Sequence, residues 1–185
     1  MRHAPHLLLV TALGCASGAG SATTRVVTDQ TVVQAELGAI GVDVVRQREA
    51  VSSEISLSSD AAFRLLPSVL GSLQFAVERA EPKSGTLTTR TARFRGSLGG
   101  SRLSTYFECG QSAMGKTADR YAVIVKVTTE VRDAGEGRSR LTTLVSASAK
   151  PDDNGGTAVG CDSNGNLEKR IRVELMSQSV TSTAR

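Results

Sequence analysis

The clearest alternation in this chain runs from Tyr121 to Arg132. Tyr121, Val123, Val125, Val127, Thr129 and Val131 alternate with Ala122, Ile124, Lys126, Thr128, Glu130 and Arg132. A turn sequence follows, Asp133-Ala134-Gly135-Glu136-Gly137, and then Leu141, Thr143, Val145, Ala147 and Ala149 repeat the period of two. Successive side chains of a strand point to opposite faces. The pattern therefore predicts a long antiparallel hairpin with one face on a core and the other in water.

Shorter elements precede it. Val26-Val27, Val32-Val33 and Val42 to Val45 read as two short strands, with Gly38-Ala39-Ile40-Gly41 as the turn between them. Glu54 to Leu57 reads as a brief strand leading into a helix. Ser58-Ser59-Asp60 offers the helix cap, and Phe63, Leu66, Leu70 and Leu73 recur at helical spacing on one face. Pro67 inside this run is expected to kink or divide the helix, because it removes a backbone donor. The apolar stripe is read first as a core-facing side. A second reading makes Phe63, Leu66, Leu70 and Leu73 the wall of a groove for an apolar ligand.

Leu73 to Glu81 and Gly85 to Gly96 read as two strands around Pro82-Lys83-Ser84-Gly85, with Arg93 and Arg95 sharing a solvated face of the second. Gly96 to Ser101 reads as a flexible loop, Ser101 to Cys109 as a strand and Gly110 to Asp119 as a long polar connection. After the hairpin, Thr157 to Cys161 is a short strand. In Asp162-Ser163-Asn164-Gly165-Asn166, an EF-hand calcium loop starting at Asp162 would need Gly sixth and Glu twelfth. Gly165 is fourth and Val173 twelfth, so the segment reads as a turn. Leu167, Ile171 and Leu175 suit a closing helix, with Asn166 as its cap and Glu168 in its first turn. Ser177 to Arg185 is expected to fray.

Composition narrows the class. With aromatics at 3% and no Trp, the core must be built from Val, Leu, Ile and Ala, and the many Val and Thr residues favour sheet over a helical bundle. The expected fold is α+β: an antiparallel sheet with one long helix and a C-terminal helix packed on one face. The net charge of +4 is spread along the chain rather than gathered in a block, which argues against nucleic acid as a partner.

The N-terminus carries the chemistry that the rest lacks. Leu7 to Leu13 is a short apolar run behind Met1-Arg2-His3, and it ends in Ala12-Leu13-Gly14-Cys15. A bilayer-spanning helix needs about 20 apolar residues. This run fits a cleaved export signal instead. Gly14 is small at the cut, and Cys15 stands where bacterial lipoproteins carry their acyl chains, palmitate among them. Ala12 departs from the Leu usual three positions before that cysteine. Ordinary cleavage after Gly20-Ser21-Ala22 is the alternative, and it would release a soluble periplasmic or secreted protein. Ala16 to Thr24 is small and polar, as a tether is. The expected organisation is a lipoprotein signal over 1–14, lipidated Cys15 and tether over 15–24, one α+β domain over 25–178 and a disordered tail over 179–185. Ala16 is not the Asp that retains enteric lipoproteins in the inner membrane, so the outer membrane is expected, with the domain in the periplasm.

Two consequences follow from that cut. Both histidines, His3 and His6, leave with the signal, which removes His-based triads, acid–base catalysis and metal ligation. An enzyme would have to rely on carboxylates such as Glu78, Glu81 or Glu108, or on the Ser112 and Lys116 pair. No set of residues for a metal or cofactor is apparent, and a non-enzymatic protein is expected. Of the three cysteines, Cys109 and Cys161 then remain as an even pair in an exported chain, and a structural disulfide is expected.

The segment Ala61 to Leu73 as a gripping helix, the hairpin VERAEPKSGTL from Val77 to Leu87 and the closing segment Leu167 to Met176 together resemble the helix-grip domains of BamC-type lipoproteins of the outer-membrane barrel assembly machinery. The likeness covers about Ile55 to Met176, with one such domain where that family has two. It implies a helix-grip fold and work by contact with other envelope proteins, and it assigns no functional residue. A carrier of a lipid or small apolar ligand is the other function to weigh.

Overall fold

The computed structural model describes residues 31–35, 38–42, 49–151 and 157–183, with side chains over 49–151 and 157–180. Strands β1 (Thr31–Ala35) and β2 (Gly38–Val42) form an antiparallel pair. Gly38 to Gly41 lie within β2 itself, not in a turn between the strands. Glycine tolerates extended backbone, and Ala39 to Gly41 are ladder partners of Val32 to Gln34. Val26-Val27 and Asp43 to Val45, like the expected signal, Cys15 and the expected tether, lie outside the described residues.

The hairpin of β12 (Ala122–Gly135) and β13 (Arg138–Lys150) is the centre of an eight-stranded antiparallel sheet. Its register runs from Ala122↔Lys150 to Asp133↔Ser139, with a bulge between Asp133 and Gly135. The alternation read from the sequence is the burial pattern. Val123, Val125, Val127, Thr129 and Val131 are buried together with Leu141, Thr143, Val145, Ala147 and Ala149.

Each long strand is flanked by two short ones. On the β12 side, β4 (Val77–Glu81) pairs with β5 (Thr86–Thr89), β5 pairs with Thr128 to Glu130, and β6 (Ala92–Arg95) pairs with Ala122 to Val125. The stretch Gly85 to Gly96 is thus two strands, not one. The break leaves the Val127 N–H without a ladder partner, and the buried hydroxyl of Thr89 accepts it at 3.0 Å. Gly85 closes the β4–β5 turn against β12. Its carbonyl accepts from Val131 N–H, its φ is +66°, and a Cβ there would lie 2.2 Å from the Val131 oxygen, so only glycine fits. On the β13 side, β3 (Val51–Ile55) pairs with Ser139 to Thr143, and β14 (Val159–Ser163) with Ala147 to Ala149.

Between β6 and β12 the chain makes several small elements where the sequence suggested a loop, a strand and another loop. A two-stranded hairpin, β7 (Ser97–Leu98) and β8 (Ser101–Arg102), turns at Gly99-Gly100. A single 3-10 turn (Leu103–Thr105) then interrupts the strand expected over Ser101 to Cys109, and β9 (Phe107–Glu108) pairs with β14. A second small hairpin, β10 (Gln111–Ser112) and β11 (Gly115–Lys116), leads into the short α2 (Thr117–Arg120). The break has a packing cause: Leu103, Tyr106 and Phe107 are all buried, which a continuous alternating strand cannot achieve on one face.

Two longer helices cover the buried face. Helix α1 (Ser59–Ser72) is capped by Ser58, whose hydroxyl accepts from Ala61 N–H at 3.3 Å. It runs through Pro67 as one element, with the ring on its exposed side. Leu73 to Phe75 belong to its end rather than to a strand. Gln74 takes a φ of +66° and Phe75 N–H returns to the Leu70 carbonyl, a left-handed stop that buries Phe75 against Phe94. Helix α3 (Asn166–Thr183) continues past the expected fraying point, and Ser179 is buried, so the tail is shorter than the sequence suggested. Leu167, Ile171 and Leu175 of α3 join Leu66, Val69 and Leu70 of α1 in one core with the valines of β12. Each such side chain contributes roughly 1.5–3 kcal/mol when taken out of water.

Cys109 and Cys161 are joined as a disulfide, with Cα atoms 4.2 Å apart across a separation of 52 residues. It ties the chain after β9 to β14, at the edge of the sheet. A loop of that length is worth on the order of 4 kcal/mol in the chain-entropy picture. Replacing both cysteines by serine is expected to lower the unfolding free energy by about 2–4 kcal/mol in urea titrations. No change in midpoint would show that the bridge does not constrain the unfolded chain.

Candidate functional site

The disulfide edge is also where the most unusual polar group lies. Ser163, Asn164 and Gly165 form the entry to α3. The Ser163 hydroxyl accepts from Gly165 N–H at 3.3 Å, and Asn164 Oδ1 accepts from Asn166 N–H at 3.2 Å. The turn anchors sideways as well. Asn164 and Asn166 each donate from Nδ2 to the Thr105 carbonyl at 2.8 Å, and Asn164 N–H donates to the Tyr106 carbonyl at 3.1 Å. One turn further along, Arg170 donates to the Tyr106 hydroxyl and, at 3.0 Å, to the Gly99 carbonyl. A Cβ at Gly99 would meet that guanidinium at 2.7 Å. The segment that fails as an EF-hand loop and reads as a turn is this turn, with the Asn164 and Asn166 side chains bonded to backbone. Among the described residues no group of three His, Cys, Asp or Glu could hold a metal ion.

Glu168 sits in the first turn of α3 and is only 3% exposed. Its Oε2 accepts from the Ser163 hydroxyl at 2.9 Å, while Oε1 is buried with no hydrogen-bond partner. Burial raises its pKa above the ordinary 4.5, and the Ser163 bond and its own backbone N–H offset part of that rise. It borders a small cavity of about 200 Å³ together with Ser52, Ser53, Leu141 and Thr143. The sequence marked Glu168 only as a helix-starting acid. The signal that could have found it is spacing: Glu168 stands three and seven residues before Ile171 and Leu175, on the edge of the buried stripe.

The residues read as a ligand groove separate. Leu66 and Leu70 are fully buried and Leu73 is 3% exposed, all within the core. They fill the space between α1 and the sheet instead of lining a groove there. Only Phe63 reaches a cleft, an open one beside Ser59, Asp60 and Arg64 and the turn Pro82 to Gly85. The carboxylates weighed for catalysis are dispersed. Glu78 pairs with Lys126 at 3.0 Å, Glu81 with Arg79 at 3.4 Å, and Glu108 lies exposed on β9. The Ser112 hydroxyl donates to the Gly115 carbonyl at 3.1 Å and accepts from Met114 N–H, closing its own hairpin rather than engaging Lys116.

The sheet face turned away from α1 and α3 carries hydroxyls and paired charges. Ser52 and Thr142 hydroxyls meet at 2.7 Å, Glu54 lies 3.8 Å from Arg138 and 3.4 Å from Arg140, and Arg132 pairs with Glu130. Exposed pairs of this kind contribute at most about 1 kcal/mol each. They keep the face soluble and patterned, and Arg93 and Arg95 stand exposed on β6 as expected.

No family model and no curated protein matches the chain. Among solved structures, it is similar to a DUF4468 family protein from Bacteroides ovatus at 8% identity and a TM-score of 0.34, over 70% of this chain and 64% of that one. The chain thus spans less than two thirds of that protein's length. A likeness of this extent supports no transfer of fold or function.

The burial of Glu168 makes a pH prediction. Its folded pKa lies above its unfolded value, so the folded state holds the proton more tightly. The contribution of this group to stability is fully present below about pH 4.5 and is lost as pH rises through the folded pKa. Glu168→Gln cannot ionise. The difference in unfolding free energy between E168Q and the parent chain is expected to shift in favour of the variant as pH rises above that value. A difference independent of pH would show that Glu168 titrates alike in both states.

Proposed function

We propose that this chain is an exported lipoprotein, held in the outer membrane through acyl groups on Cys15, whose domain works in the periplasm by contact with other envelope proteins. The observation that carries the reading is the cysteine count. The Cys109–Cys161 disulfide uses two of the three cysteines and suits an oxidising compartment. The third, Cys15, stands at the end of a short apolar run and before a small, polar tether.

The domain's construction supports contact rather than chemistry. One sheet face is covered by α1 and α3, an arrangement like a helix grip, and the other presents Ser, Thr, Glu, Lys and Arg side chains to solvent. The chain after Cys15 contains no histidine, and Glu78, Glu81, Glu108 and Ser112 are dispersed. Leu66, Leu70 and Leu73 fill the core where a ligand carrier would need space. This construction supports assembly or scaffolding in the envelope as the reading.

Expressed with its own signal in a bacterium with two membranes, the protein is expected to fractionate with the outer membrane. Its N-terminal peptide is expected to begin at Cys15 and to carry two or three acyl chains by mass spectrometry. Outer-membrane proteins are expected to co-purify after mild detergent extraction. A free N-terminus at Thr23 in the soluble periplasmic fraction would end the anchor, and a clean preparation with no partner would count against the scaffold role.

A further inference from the structure

A second surface has a chemistry that the proposed role does not use. The small elements between β6 and β12 form a platform held by short polar links. Ser104 donates from its backbone N–H and its hydroxyl to the two oxygens of Asp119, at 2.9 and 2.8 Å, which fixes the 3-10 turn to α2. Arg120 Nε donates to the Met114 carbonyl at 3.1 Å, and Thr117 N–H to the Gly110 carbonyl at 3.1 Å, which fixes α2 to the β10–β11 hairpin. On this platform Arg102, Lys116 and Arg120 border one open cleft of about 680 Å³.

Three features set the cleft apart. Arg102, Lys116 and Arg120 are all exposed, none has an acidic partner among the described residues, and one cleft gathers all three. The one acid on its rim, Asp119, is turned onto Ser104, so the cleft keeps an excess of positive charge. Met114, at the tip of the β10–β11 hairpin and on the same rim, is 70% exposed, an apolar side chain standing in water beside three cations. Cations around an exposed apolar tip match the interfacial layer of a bilayer, where anionic head groups lie above the first methylenes.

We propose that Arg102, Lys116 and Arg120 bind the phosphate of an anionic phospholipid head group, with Met114 entering the interface beside it. Arginine recognises phosphate through its planar fork and lysine as a point charge. Asp119 orients the platform and does not touch the ligand. This deepens the anchored-lipoprotein reading by making the membrane surface itself a partner of the folded domain. Its test uses protein that carries no acyl chain, so its failure would leave the anchor at Cys15 untouched.

The chain from Thr23 onward holds every described element and lacks Cys15. It is expected to co-sediment with phosphatidylcholine vesicles containing phosphatidylglycerol, not with phosphatidylcholine alone, and to be released as salt rises. Each of Arg102→Ser, Lys116→Ser and Arg120→Ser should lower the partition coefficient about fivefold, and the triple variant on the order of a hundredfold. Met114→Ser should lower it by a smaller factor that salt does not change. The matched control Arg132→Ser, Arg138→Ser, Arg140→Ser removes equal charge from the far face and should bind as the parent does. Circular dichroism and the Cys109–Cys161 disulfide verify that each variant is folded. Undiminished binding by the triple variant, or equal loss by the control, would overturn the site. Binding of inorganic phosphate through the same three residues without vesicle binding would overturn the lipid head group as its ligand.

Discussion

The ladder between β12 and β13 is the constraint on which the remaining elements depend. Its thirteen or so residues a side give both strands the same choice of face, and that choice is made once. A slip of one position would turn Val123, Val125, Val127 and Val131 to water and bring Lys126, Glu130 and Arg132 inward. With the face fixed, each neighbour has a definite place. The edges of the hairpin take β5 and β6 on one side and β3 and β14 on the other, and α1 and α3 close over the valines. The short flanking strands add little ladder of their own. Each pairs with the hairpin over three to five residues, and single contacts reinforce these short ladders, such as the Thr89 hydroxyl on Val127 N–H and the close approach of Gly85 to Val131.

The far end of the molecule is organised differently. There the elements are two to four residues long, and no ladder of that length is stable alone. The disulfide, the asparagine turn before α3, and Arg170 on Tyr106 and Gly99 substitute for it. Glu168 is the liability of this arrangement. Entering α3 so close to β3 and β13 buries a carboxyl of which Ser163 satisfies only one oxygen. The same short, side-chain-linked elements free the β10–β11 hairpin and α2 to present charge outward, since little of their surface is needed for the core.

What could be read from the sequence follows from how local each cause is. The hairpin and α1 were legible because period two and a capped apolar stripe are properties of neighbouring residues. The Cys109–Cys161 pair was legible because, with Cys15 read as the lipidated residue, no other partner remained. The segment from Gly96 to Arg120 was not. Leu103, Tyr106 and Phe107 read as strand or nothing, and only the need to bury all three against α3 and the sheet imposes the 3-10 turn. The groove reading of Leu66, Leu70 and Leu73 failed for the reverse reason. A stripe looks the same whether it faces a cavity or a core, and here the β12 valines fill the space. Glu168 and the basic cleft are products of tertiary placement. Arg102, Lys116 and Arg120 lie on separate elements, and nothing in their spacing joins them.

The primacy of the central ladder is open to direct measurement by native-state hydrogen exchange. Amides open locally or with the whole domain, and the slowest mark the unit that unfolds last. The account predicts that the inward-facing stretches Val123 to Val131 and Leu141 to Ala149 exchange only by global unfolding, while α1, α3 and the short strands exchange earlier through smaller openings. Amides of α1 and α3 outlasting those of the hairpin would contradict it, because the helices would then be the frame and the ladder its dependent.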